Sequence, residues 1–185
     1  MARRHGAVLV LLLAVACGSS PKPAPPLAVD SSLVPKKLGA LGVYENTKPS
    51  TVQAFANVGE RALISDGRVW EIRRNDRLVA TLQISAMKDK VDLTQERVRE
   101  QILAPILTGN VQAVRLSDVE VNEVTSEGRK DIFVWFGQRH MEILQVKDAG
   151  VPSRTLVEEL IRHQQTTSAW VPLSESKDLL DSDDE

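Results

Sequence analysis

The sequence predicts an α+β domain in which an antiparallel sheet of about five to six strands is packed by two or three helices in a sandwich. Three observations carry that expectation. β-Branched and aromatic runs separated by turn residues recur between residues 61 and 148, and two stretches repeat apolar residues at helical spacing. A hydrophobic content of 42% beside 26% charged residues is the balance of a globular domain, and 185 residues suffice for one.

Taken in order, "STVQAFANV" allows a short helix near 50–58. The stretch "ALISDGRVWEIRRNDRLVATLQIS" holds Asp66-Gly67, a strong hairpin signal, and Asn75-Asp76, a weaker one. Strands are therefore expected near 61–65, 68–74 and 77–87. Asp92 with Gln95 three residues on forms a capping-box pattern, and Val98, Ile102 and Ile106 recur every four residues. A helix over 93–104 follows, ended near Pro105 because proline cannot donate to the preceding turn. "VQAVRLSDVEVNEVTSE", "RKDIFVWF" and "HMEILQVKD" are three further strand candidates, with Gly128 and Gly137 at their turns. Ser153 is placed to cap a last helix over 154–166, whose stripe is Leu156, Val157, Leu160, Ile161 and Gln164. Hairpin strands followed by a helix occur twice, a hint of duplication. The element order of the domain resembles that of the PsbP and Mog1-like folds; the resemblance implies an α+β sandwich and assigns no functional residue.

The first residues have the parts of an export signal: a basic "MARRHG", then an apolar stretch from Ala7 to Ala16. Ten apolar residues are too few for a membrane-crossing helix, which needs roughly 20. "LAVAC" followed by Gly18 resembles the lipobox of bacterial lipoproteins, with Ala16 and Val15 at the small-residue positions and Ala14 where leucine is usual. The resemblance implies removal of residues 1–16, a diacylglycerol on the Cys17 sulfur, and anchoring on the extracytoplasmic side of the cell membrane, or on the outer membrane of a two-membrane host. The competing reading is an ordinary secretory signal that leaves Cys17 as a free thiol. With one cysteine the chain has no intramolecular disulfide. Residues 17–35, with five prolines and four serines from Gly18 onward, read as an extended tether. Residues 36–173 read as a single domain, and 174–185, with six acids and one base, as a solvated acidic tail.

The inventory for catalysis is short. Beyond the signal only His140 and His163 remain, and sites built on thiolates or three histidines are excluded within one chain. "SESK" at Ser174–Lys177 matches S-x-x-K without the companion motifs of that enzyme class, and G-x-S-x-G, P-loop and G-x-G-x-x-G patterns are absent. No catalytic residue, metal or cofactor is expected. His163 reads as a boundary residue at a helix C-terminus, and His140 as an exposed residue of the turn "GQRH" beside Trp135 and Phe136. Arg73, Arg74 and Arg77 form a positive cluster around a hairpin tip. Nucleic acid is disfavoured by a formal net charge of −2, an aromatic content of 4% and the export signal.

The expectation is a membrane-anchored envelope lipoprotein with a non-catalytic binding domain. Its partners are the membrane, through the anchor, and an envelope protein or anionic lipid at Arg73, Arg74, Arg77, Trp135 and His140. A carrier of small molecules or lipids is the alternative, and an accessory envelope hydrolase the third.

Overall fold

The computed structural model describes residues 27–47, 63–106, 109–125 and 131–173. These form one eight-stranded antiparallel sheet with two α-helices, so the fold is mostly β with some helix. The strands are β1 (Lys37–Leu38), β2 (Leu41–Asn46), β3 (Ile64–Arg74), β4 (Arg77–Met87), β5 (Asn110–Leu116), β6 (Val119–Thr125), β7 (Ile132–Phe136) and β8 (His140–Val146). The helices are α1 (Glu96–Leu103) and α2 (Ser153–Gln165). The sheet order is β1-β2-β3-β4-β8-β7-β6-β5. Two four-stranded meanders, each followed by a helix, are thus joined along a central β4–β8 seam, with Leu82 opposite Leu144. The twofold recurrence glimpsed in the sequence is a real property of the topology.

Eight strands exceed the expected five or six for local reasons. Asp66-Gly67 makes no hairpin: β3 runs straight through it, and a register shift between Ile64 and Asp66 absorbs the irregularity as a bulge. Asn75-Asp76 is the true turn, with φ of 47° and 64°, the left-handed pair that a two-residue hairpin requires. Ser117-Asp118 adopts the same geometry, at 48° and 64°, and splits the run expected as one strand into β5 and β6. β1 and β2 turn about Gly39, whose φ is 55°.

Both helices begin differently from expectation. Asp92 accepts from the Thr94 main-chain N–H (3.0 Å), the Thr94 hydroxyl (2.6 Å) and the Gln95 amide (3.0 Å). This closes a turn ahead of the helix rather than a capping box, and α1 starts only at Glu96. Ser153 lies inside α2 instead of capping it, its hydroxyl donating to Asp131 Oδ2 at 3.0 Å, while Pro152 takes the cap position. The expected helix near 50–58, Gly128, the signal and Cys17, and the acidic tail lie outside the described residues.

Each face of the sheet is covered by one helix. Period-two alternation in β7 sends Phe133 and Trp135 toward α2, where Leu156, Val157, Leu160 and Ile161 are buried. It sends Val134 and Phe136 toward Ile102 and Leu103 of α1. Covered on both sides, β7 reads as the unbroken apolar run "IFVWF". Val29, Leu33 and Val34 are also buried on the α2 face, so part of the stretch expected as tether belongs to the packed domain. Asp30 caps the 3₁₀ turn Ser31–Leu33 through the Ser32 N–H at 2.8 Å.

Candidate functional site: a basic sheet end and a buried polar cluster

The two longest strands, β3 and β4, have eleven residues each and meet at the Asn75–Asp76 turn. Their tip carries Arg73, Arg74 and Arg77, as expected. The charges are not equivalent. Arg73 donates to Glu71 Oε2 at 2.5 Å and to the Asp76 carbonyl at 3.2 Å, and the Glu71 hydrogen bond holds its guanidinium pKa above the ordinary value. Arg77 stands 3.8 Å from Asp148 Oδ2 while remaining 76% exposed. Arg74 is exposed and flanks a groove of about 170 Å³ with Leu38, Leu41, Val151 and Leu156. Register adds a strand of charge: Lys37 opposes Gly42, which opposes Arg73, and Lys36 and Lys37 are both exposed. One end of the sheet thus presents Lys36, Lys37, Arg74 and Arg77 to solvent, with Asp76 as the exposed counter-charge at the turn.

The N-terminal chain joins the fold at the other end. The Leu27 carbonyl accepts from the Ser65 hydroxyl at 2.7 Å, and the Val29 N–H donates to Asp66 Oδ2 at 2.8 Å. Both contacts lie at the start of β3, whereas the arginines lie at its finish. At about 3.3 Å per strand residue the two ends are roughly 30 Å apart.

Trp135 and His140 do not join the arginines. Trp135 is fully buried, and its indole N–H donates to Gln164 Oε1 at 3.0 Å. His140 is buried at 5% exposure, not held out on a turn as expected, because the hairpin closes one residue earlier and His140 begins β8 opposite Ala86. Burial, reinforced by Arg139 and opposed by Asp30, lowers its pKa below the ordinary 6.5 and favours the neutral ring. Two residues on, Glu142 shares that face and is fully buried between Ile84 and Trp135. Loss of hydration raises its pKa well above the ordinary 4.5, opposed by the Trp170 indole and by its own main chain.

His140 Nε2, both Glu142 oxygens, Gln164 Nε2 and Trp170 Nε1 all lack hydrogen-bond partners in this layer. Sequence reasoning missed Glu142, Gln164's polar role and Trp170. The signal was available for Glu142: period two in "HMEILQV" puts it on the face of Leu144 and Val146. His163 lies in the last turn of α2 as expected, with Nε2 2.9 Å from the Ser32 carbonyl, tying the N-terminal segment to the helix. Among the described residues no three His, Cys, Asp or Glu side chains are grouped so as to hold a metal ion, and no helix is long and apolar enough to cross a membrane.

Comparison with known proteins finds no matching family model, no similar curated protein and no similar solved structure.

Proposed function

We propose that the chain is a lipid-tethered, extracytoplasmic, non-catalytic binding module that holds an acidic envelope protein on the basic end of its sheet. The observation that carries this reading is the polarity of β3: the tether side joins at Ser65 and Asp66, and the arginines project from the opposite end. Leu27 follows Cys17 by ten positions, a reach of roughly 30 Å when extended at ~3.1 Å per residue. A domain standing on that tether turns Lys36, Lys37, Arg74 and Arg77 away from the anchoring bilayer. Its own lipid headgroups are thereby disfavoured as the ligand, and a partner reaching in from the envelope is favoured.

A carrier needs an apolar cavity that encloses its ligand. Among the described residues, a groove of about 360 Å³ is lined mainly by polar groups such as Thr94, Glu96, Arg99 and Asn122, and an open one of about 320 Å³ sets Leu63, Val98 and Ile102 beside Lys90, Asp92 and Gln95. Site-specific photo-crosslinking tests the orientation. A photoreactive side chain at Asn75 is expected to capture protein, and one at Ala28 to capture lipid. The reverse pattern would place the basic end on the membrane and overturn the reading.

A further inference from the structure

The groove beside Arg74, about 170 Å³, is walled by Leu38 and Leu41 from β1 and β2 and by Val151 and Leu156 from the start of α2. Its volume lies below the roughly 300 Å³ at which small-molecule pockets begin, and it suits aliphatic side chains rather than a free ligand. Around it stand Lys36, Lys37, Arg74 and Arg77, all exposed, with Glu159 the one carboxylate of the lining. Lys36, Lys37 and Arg74 have no ion pair among the described residues. An apolar slot ringed by cations is complementary to apolar residues flanked by acids. The chain carries that pattern itself. Beyond Leu173 its only apolar residues are Leu179 and Leu180, set between Asp178 and Asp181 and ahead of Asp183, Asp184 and Glu185.

Resting on the reading of that end as a protein site, we infer that the acidic partner is a second copy of this chain, whose segment 178–181 lays Leu179 and Leu180 in the groove and its acids against the cations. A copy's own segment does not reach. Leu173 packs with the cluster on the α1 face, and Pro172 bridges Gly137, near where β8 begins opposite Ala86. The groove instead belongs to the α2 face, at the level where Arg74 pairs with Arg77. Ala86 and Arg77 are nine positions apart on β4, roughly 30 Å. Leu179 follows Leu173 by six positions, about 20 Å when fully extended. The contact therefore runs between copies, and because groove and segment are different surfaces it is heterologous. The tether's reach of roughly 30 Å lets neighbours on one bilayer stand at different heights, which brings the segment of a higher copy to the basic end of a lower one.

Sedimentation velocity of the full-length chain in mild detergent, over a range of protein concentrations, tests the inference. Wild type is expected to associate as concentration rises and to dissociate with added salt. Leu179→Ala with Leu180→Ala, and separately Arg74→Glu, should each weaken association by roughly tenfold or more, the scale of losing an interface anchor, at an unchanged melting temperature. Differently labelled and mixed, the two variants should recover a one-to-one complex, because one keeps the groove and the other keeps the leucines. If Arg74→Glu alters the melt, the leucine variant decides alone. A wild type that stays monomeric overturns the inference, as does association that survives the leucine change, or a mixture of two folded variants that stays apart. Failure here is distinct from failure of the reading it rests on. A monomeric wild type with protein still crosslinked at Asn75 removes the second copy alone, whereas lipid crosslinked at Asn75 removes both.

Discussion

The arginine hairpin and the Glu142 layer sit at opposite extremes of how this fold places polar groups. At the hairpin, charge is abundant and mostly solvated: Arg77 is 76% exposed beside Asp148. At Glu142 the carboxyl is enclosed, neither oxygen has a hydrogen-bond partner among the described residues, and burial pushes its pKa up. The first region contributes a field that reaches outward and little stability. The second contributes nothing outward, and makes the α2 face sensitive to single changes. Variants that separate stability from binding therefore break the comparison if it is wrong.

The largest effect is expected at Trp135. Trp135→Ala removes a fully buried indole and leaves Gln164 Oε1 without its donor, and the cost should be about 3–5 kcal/mol in denaturant unfolding. A loss below the cost of a surface substitution would mean that the layer is not packed as described.

Next in size is the pH dependence. The folded-state pKa of Glu142 is raised, so its contribution is fully present below the ordinary carboxyl value of 4.5 and is lost as pH rises. The folded-state pKa of His140 is lowered, so its contribution is present above the ordinary 6.5 and is lost as pH falls. Between those values the two slopes oppose; above 6.5 Glu142 acts alone, and stability should decline by up to about 1.4 kcal/mol per pH unit. Urea titrations at several pH values measure the slope, and Glu142→Gln should remove it.

A smaller loss is expected for Gly137→Ala, about 1–3 kcal/mol by overpacking against Trp170 Nε1 and the Val171 carbonyl. Calorimetry of that variant beside wild type sharpens the same point: the loss should shrink when Trp170 is also changed to Ala, which removes the ring contact and leaves the one with the Val171 carbonyl.

Legibility in the sequence followed the locality of the cause. The 68–74 and 77–87 strands and the apolar stripe of α2 were readable because local turn chemistry and helical period specify them. Asp66-Gly67 misled because the same dipeptide serves a bulge, and only the partner strand, pairing Asp66 with Ala86, decides between bulge and turn. Ser117-Asp118 escaped notice because it takes left-handed φ values starting from a serine, which lacks the preference for them that Asn75 has at the other hairpin. Of the candidate site, the arginine tip was legible from three charges around a turn. The burial of His140 and Trp135 was not, since it depends on which face of β7 and β8 meets α2, a long-range fact.

The smallest expected change in stability accompanies the largest expected change in binding. Arg73, Arg74 and Arg77 changed together to glutamate reverse the field at the sheet end, giving up ion pairs whose arginines are exposed although Glu71 and Asp148 are half-buried. The direct test is capture of envelope proteins by the full-length chain in mild detergent, run beside a thermal melt of the same samples. The account predicts an unchanged melting temperature with loss of the protein that wild type captures, in a salt-dependent manner. Undiminished capture by the glutamate variant at an unchanged melting temperature would contradict it.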